Sequence, residues 1–201
     1  MENIMMWDSD VRSNVFLIQH TVISLIISTL SVTTFHRNML WKDELSLWKD
    51  VAIKSPHNPR GHNNLGNAYK KTGDRDSALI EYELAVKLNP SFSDAHNNLG
   101  VLYRDRGLLN EAIKEYKLAA RYSSTYYKKT IYENLGTVLA EKGLIDEAIN
   151  SFKEALKIDP ANGDILYNIG FLYAKTGLRD IAIRFYTEAV RVNPDDLGAR
   201  Q

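Results

Sequence analysis

The sequence predicts an all-α chain, with one apolar helix near the N terminus followed by a stack of paired helices. Three observations in its 201 residues carry that reading. From Val15 to Phe35 no Asp, Glu, Lys or Arg occurs. Leu-Gly pairs recur at Leu65-Gly66, Leu99-Gly100 and Leu135-Gly136, with the variant Ile169-Gly170, so their glycines stand 34, 36 and 34 residues apart. Within that period the apolar residues keep a helical spacing: Ala148, Ile149, Phe152, Ala155 and Leu156 form one stripe.

The first element after a flank of residues 1–14 is the uncharged run 15–35. Twelve of its residues are large and apolar and seven are Ser or Thr. At about 1.5 Å per residue such a helix spans roughly 30 Å, the thickness of a hydrocarbon core. The hydroxyls are compatible with lipid because they can bond back to helix carbonyls or across to neighbouring membrane helices. A cleaved signal fits less well, since the preceding residues are acidic (Glu2, Asp8, Asp10) and no A-x-A-like site follows. A buried soluble helix would be striped rather than apolar all round. A transmembrane helix is the expectation, alone or as one helix of a larger bundle.

Residues 38–58 read as a degenerate half repeat, in which Trp48, Val51 and Pro56 keep the register of a second helix running from Trp41 to Lys54. Four full repeats follow at 59–92, 93–128, 129–162 and 163–196, and 197–201 begins a further helix. In each, a second glycine comes seven residues after the first (Gly73, Gly107, Gly143, Gly177) and is expected to end the first helix in a left-handed conformation. Asp76, Asn110, Asp146 and Asp180 are then expected to start the second helix. Alanines at 78, 112, 148 and 182 and at 85, 119, 155 and 189 flank Tyr82, Tyr116, Phe152 and Tyr186. Small residues let helices approach and the aromatic ring fills the remaining gap. Pro90, Pro160 and Pro194 stop second helices. Tyr122–Lys129 lacks the proline and adds two residues, which should bend or offset the stack. The last helix, Asp180 to Val192, should leave an apolar face open.

These residues form the L-G-x2-Y…A-x3-F…P pattern, and from Pro59 to Asp196 the chain resembles the tetratricopeptide repeat (TPR) family. The resemblance implies a right-handed α-solenoid of helix-turn-helix repeats that binds protein. A narrower one lies at the junction. Arg37-Asn38, Trp41, Asp43-Glu44-Leu45, Leu47-Trp48 and Lys54-Ser55-Pro56 look like the junction between the last membrane helix and the TPR tail of multi-pass transmembrane-and-TPR proteins linked to protein O-mannosylation. In such proteins sugar transfer belongs to the multi-helix portion, so the chain would hold only the last membrane helix and the TPR tail, as a natural short form or, the reading favoured, a fragment of a longer gene. Sidedness divides the two arguments. Arg37, Lys42 and Lys49 after the helix, against Arg12 before it, place the repeats in the cytoplasm; the junction resemblance implies a lumenal or periplasmic side, which is the side favoured.

Composition and motifs exclude several function classes. Twenty-five basic residues balance twenty-five acidic ones, so there is no basic stripe for nucleic acid. Cysteine is absent, which removes disulfides, thiolate metal sites and cysteine nucleophiles. No phosphate loop or G-x-S-x-G occurs. Among the histidines (His20, His36, His57, His62, His96) metal-ligand spacing is missing, and His62 and His96 are expected to pack in the core. No catalytic residue, metal or cofactor is expected, and the chain is read as not an enzyme.

The candidate site is a column of asparagines. Asn64, Asn98, Asn134 and Asn168 each precede the Leu-Gly or Ile-Gly pair, about 100° from a buried position and toward the concave side. Each amide offers a donor and an acceptor, the pair that bonds an extended peptide backbone. The column resembles the asparagine ladder in the TPR superhelix of O-linked N-acetylglucosamine transferases. Neighbouring first-helix residues should line the same groove: Arg60, Asn63, Asn67 and Lys70, then Asn97 and Arg104, then Tyr167 and Phe171. With Glu133 and Glu141 in the third repeat, the groove is expected to run from basic and amide-rich to acidic and aromatic. It lacks the carboxylate clamp of certain TPRs, having Asn63 and Thr130 where basic residues are needed. The expected partners are a protein or peptide in the groove and the membrane at 15–35.

Overall fold

The computed structural model describes the backbone of residues 2–40 and 43–194, and the side chains of residues 14–35, 43–124 and 127–194. These residues are all-helical, with ten helices and two compact units that divide between Asp50 and Val51. In the N-terminal unit α1 runs Glu2–Leu40 and contains the stretch Asn14–Phe35, 22 residues of mean hydropathy 1.9 with none of it buried. That stretch is long and apolar enough to cross a membrane, as a signal sequence also is. Hydroxyls of Thr21, Ser28, Thr29 and Thr33 bond back to the helix itself: Thr21 donates to the Leu17 carbonyl at 3.0 Å, and Thr29 to the Leu25 carbonyl at 2.9 Å. Helix α2 spans Glu44–Lys54, opened by the Asp43 carboxylate, which accepts from the Ser46 N–H at 2.7 Å. Trp41, the expected start of α2, and the further helix at 197–201 lie outside the described residues.

The C-terminal unit holds the pairs α3 (Pro59–Lys71) with α4 (Arg75–Leu88), α5 (Ser93–Asp105) with α6 (Leu109–Tyr122), α7 (Thr125–Glu141) with α8 (Ile145–Ile158), and α9 (Gly163–Lys175) with α10 (Arg179–Val192). At Gly107 the chain takes φ +74°, and Gly73, Gly143 and Gly177 do the same; this left-handed turn lets the Leu108 N–H reach back to the Tyr103 carbonyl at 2.9 Å. Second helices start earlier than the acidic residues suggest. Their N-caps are Asp74, Leu108, Leu144 and Leu178, and only Asp74 uses its side chain, accepting from the Ser77 N–H at 3.0 Å. Asp76, Asp146 and Asp180 instead lie in the first turn, where their charge suits the helix N-terminus. The residues that replace the proline turn after α6 are taken up as helix: α7 has 17 residues where α3, α5 and α9 have 13.

Each pair is held by one repeated contact. A Cβ built on Gly66 would stand 2.5 Å from the Tyr82 ring, on Gly100 2.7 Å from Tyr116, on Gly136 2.7 Å from Phe152, and on Gly170 2.8 Å from Tyr186. Tyr82 and Tyr116 are fully buried and Phe152 nearly so. The helix-weakening glycines are thus explained by the ring that lies on them. Tyr82 donates its hydroxyl to Asn67 Oδ1 at 2.7 Å. The second repeat has Val101 in the place of Asn67, and the Tyr116 hydroxyl finds no partner among the described residues. On α10, Ile181 and Ile183 are exposed, as expected for its open face.

Replacing Gly100 by Ala should therefore destabilise the repeats by about 1–3 kcal/mol through overpacking, although Ala favours helix. Tyr116→Phe, which copies Phe152, should lose nothing. Chemical denaturation of both variants checks this pair of outcomes.

Candidate functional site

Each second helix packs against the first helix of the next repeat, and the side chains of α3, α5, α7 and α9 define the candidate surface. All four column residues, Asn64, Asn98, Asn134 and Asn168, are half-buried on it. They are not equivalent. Asn98 Nδ2 donates across to Asn63 Oδ1 at 3.0 Å and Asn67 Oδ1 at 3.2 Å, and Asn134 Nδ2 donates to Asn97 Oδ1 at 3.2 Å. At the next step the acceptor's place is held by Glu133, whose carboxylate takes Asn162 Nδ2 at 3.2 Å and Lys129 at 3.6 Å. Asn168 has no hydrogen-bond partner among the described residues.

Several neighbours differ from expectation. Asn63 is buried, 5% exposed, because it is an acceptor between repeats rather than an open groove residue. Asn67 and Asn97 are acceptors too. Arg104 grips Glu141 of the next repeat through Nε, at 2.9 and 3.0 Å, and through Nη2. The expected acidic stretch is therefore neutralised: Glu141 by Arg104, Glu133 by Lys129. Arg60 and Lys70 are exposed. Tyr167 lies against Tyr186 with ring centroids 5.3 Å apart, and Phe171 remains 51% exposed.

The two histidines do more than fill space. His62 Nδ1 lies 2.7 Å from Glu81 Oε2 and its Nε2 3.0 Å from the Pro56 carbonyl. His96 repeats this on Glu115, at 2.6 Å, and the Pro90 carbonyl, at 2.9 Å. Each ring ties its own second helix to the proline turn that precedes the repeat. Both nitrogens are occupied, so neither ring offers a lone pair to a metal, and among the described residues no grouping of three metal-ligating side chains exists. A carbonyl can only accept, so in each ring Nε2 is the donor to the proline turn and Nδ1 faces the carboxylate. Burial opposes charge on His96, but the Glu115 and Pro90 hydrogen bonds and the Glu115 charge outweigh it, so His96 titrates above the ordinary histidine range. The signal for Glu81 and Glu115 was in the sequence, where each stands 19 residues after its histidine. The same two places hold Tyr132 and Ser151 in the third repeat and Leu166 and Phe185 in the fourth, the last two within one apolar cluster.

A periodic stack of helical pairs, each closed by a ring on a glycine, defines the chain as a helical-repeat protein. Tetratricopeptide repeat family profiles match at residues 63–126, 136–177 and 163–196, and the chain is a tetratricopeptide-repeat protein. Over 71 residues it is 30% identical to the protein O-mannosyl-transferase Tmtc2 of Drosophila melanogaster; the match covers 35% of this chain and 7% of that protein. The solved structure described as the crystal structure of MamA is similar at TM-score 0.70 and 25% identity, over 75% of this chain and 86% of that one. The MamA RS-1 ArsTM double mutant reaches TM-score 0.70 at 16% identity, over 86% and 95%, a likeness of fold.

A histidine whose pKa is raised by folding stabilises fully below its unfolded value of about 6.5, and that contribution is lost as pH rises through the folded value. Melting temperature should therefore fall as pH rises above about 6.5, the unfolded value. His96→Leu with Glu115→Phe, the pair the fourth repeat uses, should keep the helical spectrum and flatten the slope; an unchanged slope would assign it elsewhere.

Proposed function

We propose that this chain is a membrane-tethered TPR scaffold that binds an extended protein segment along the face of α3, α5, α7 and α9. The observation that supports it most is the set of four half-buried amides at one repeat position on that face. Asn98 and Asn134 keep their carbonyl oxygens for a ligand while their Nδ2 groups link repeats, and Asn168 keeps both groups. The tether is α1, whose Asn14–Phe35 stretch has the length and hydropathy for it. A second reading is favoured by the identity to an O-mannosyl-transferase: the repeats recruit acceptor proteins for a membrane glycosyltransferase, on the lumenal or periplasmic side.

A photo-crosslinker introduced at Lys70 or at Lys175 should yield partner adducts, whereas one at Arg184 on α10 should not; adducts from Arg184 alone would overturn the groove. Asn134→Ala should lower stability by about 1 kcal/mol, a typical net hydrogen bond, and Asn168→Ala should leave the melting temperature unchanged. Residues 38–201 alone should be soluble and helical, while the whole chain resists carbonate extraction from membranes. Protease protection of the repeats in sealed vesicles reads their side.

A further inference from the structure

The three steps between first helices are built differently, and the third is left open. From α3 to α5 the Asn98 amide links to Asn63 and Asn67, and from α5 to α7 Asn134 links to Asn97 while Arg104 closes on Glu141. From α7 to α9 both links are missing, and the bond present there instead, from the α9 cap Asn162 to Glu133, lies toward the start of α9. The place of Arg104 is taken by Ala140 and that of Glu141 by Lys175, so no bridge forms, and Asn168 is left without a partner among the described residues. In the space that results lies a cavity of about 260 Å³, floored by the Phe152 ring and walled by Thr137, Ala140, Asn168, Phe171 and Lys175.

The chemistry of this cavity specifies an occupant. It is smaller than the pockets that hold whole drug-sized ligands, so it fits one large side chain rather than a cofactor. Phe152 and the exposed Phe171 line it with apolar ring surface that suits an aromatic or large aliphatic group. Asn168 supplies a donor and an acceptor beside it for one residue's backbone. Glu141, at the rim, is already held by Arg104, whereas Lys175 has no ion pair among the described residues, so the rim favours an anion. Lys175 lies four residues beyond Phe171, about 6 Å along the helix axis, or one to two residues of an extended strand.

The geometry points to a specificity pocket between the third and fourth repeats for a bulky apolar side chain that has an Asp or Glu one or two residues away in an extended segment. This rests on the groove reading and adds which residues of the partner are selected. The burial of one anchor would set affinity, and Lys175 would reject segments with a basic residue at the same place.

The test uses the whole chain in detergent micelles and a positional library of acetylated, amidated ten-residue peptides. Selected peptides should share one aromatic or large aliphatic residue with an acidic residue one or two positions away. Ala140→Arg with Lys175→Glu rebuilds the bridge of the preceding step and should weaken the selected peptides at least tenfold without lowering the melting temperature. Phe171→Ala, at an exposed position, should weaken them as well and serves if the double variant fails to fold. Lys175→Glu alone should reverse the charge preference. Selection that is lost on Asn64→Ala but indifferent to Ala140, Phe171 and Lys175 would overturn the pocket and leave the groove standing. No selection by the unaltered chain would overturn both.

Discussion

The aromatic ring seated on a glycine is the contact on which the repeats depend. A first helix without a Cβ at Gly66, Gly100, Gly136 or Gly170 lets the second helix bring its ring to the backbone, at distances no Cβ would tolerate. The alanines at both ends of the second helix, 0–2% exposed throughout, extend the same close approach. Glycine in a helix interior costs about 1 kcal/mol against alanine. The buried ring offsets that cost, since fully burying an aromatic side chain contributes on the order of 1.5–3 kcal/mol. Because the contact is internal to each pair, it fixes the pair and leaves the surface residues of the first helix free to vary.

That freedom explains why the repeats are alike inside and different outside. At the paired places 19 residues apart, the first two repeats use His with Glu, the third Tyr132 with Ser151 and the fourth Leu166 with Phe185. Both partners change together, as a buried site demands: a histidine without its carboxylate, or the reverse, would leave a buried polar group unsatisfied. Where the proline turn is missing, before α7, the histidine is missing too, which fits a ring whose second bond is to the proline carbonyl.

Much of this was legible in the sequence. The 34- and 36-residue glycine spacings and the alanine, aromatic and proline places follow from close packing, and close packing permits few residue types. The apolar run of α1 was equally plain. The second-helix starts were misjudged because leucine occupies three of the four cap places, and a backbone turn through glycine does there what a capping side chain usually does. The site was legible as a column but not as a set of different steps. Whether an amide faces a ligand or its neighbour depends on the residue 35 or 37 positions away, as Asn98 on Asn63 and Asn134 on Asn97 demonstrate. The acidic stretch expected from Glu133 and Glu141 failed for the same reason, since their cations come from other turns and repeats.

The repeats are thus equal pairs joined by unequal steps: the Asn–Asn links of the first two steps and the Arg104–Glu141 bridge of the second are absent from the third, where the α9 cap Asn162 bonds to Glu133 instead. Residue-resolved native-state hydrogen exchange of the whole chain measures this directly, because each helix pair reports its own opening free energy. The account predicts that α9 and α10 open more readily than α5 to α8. It also predicts that rebuilding the bridge at positions 140 and 175 raises the protection of α9 and α10 without changing that of α3 and α4. Equal protection of α5 to α10 in the unaltered chain, or a bridge that leaves α9 and α10 unchanged, would contradict it.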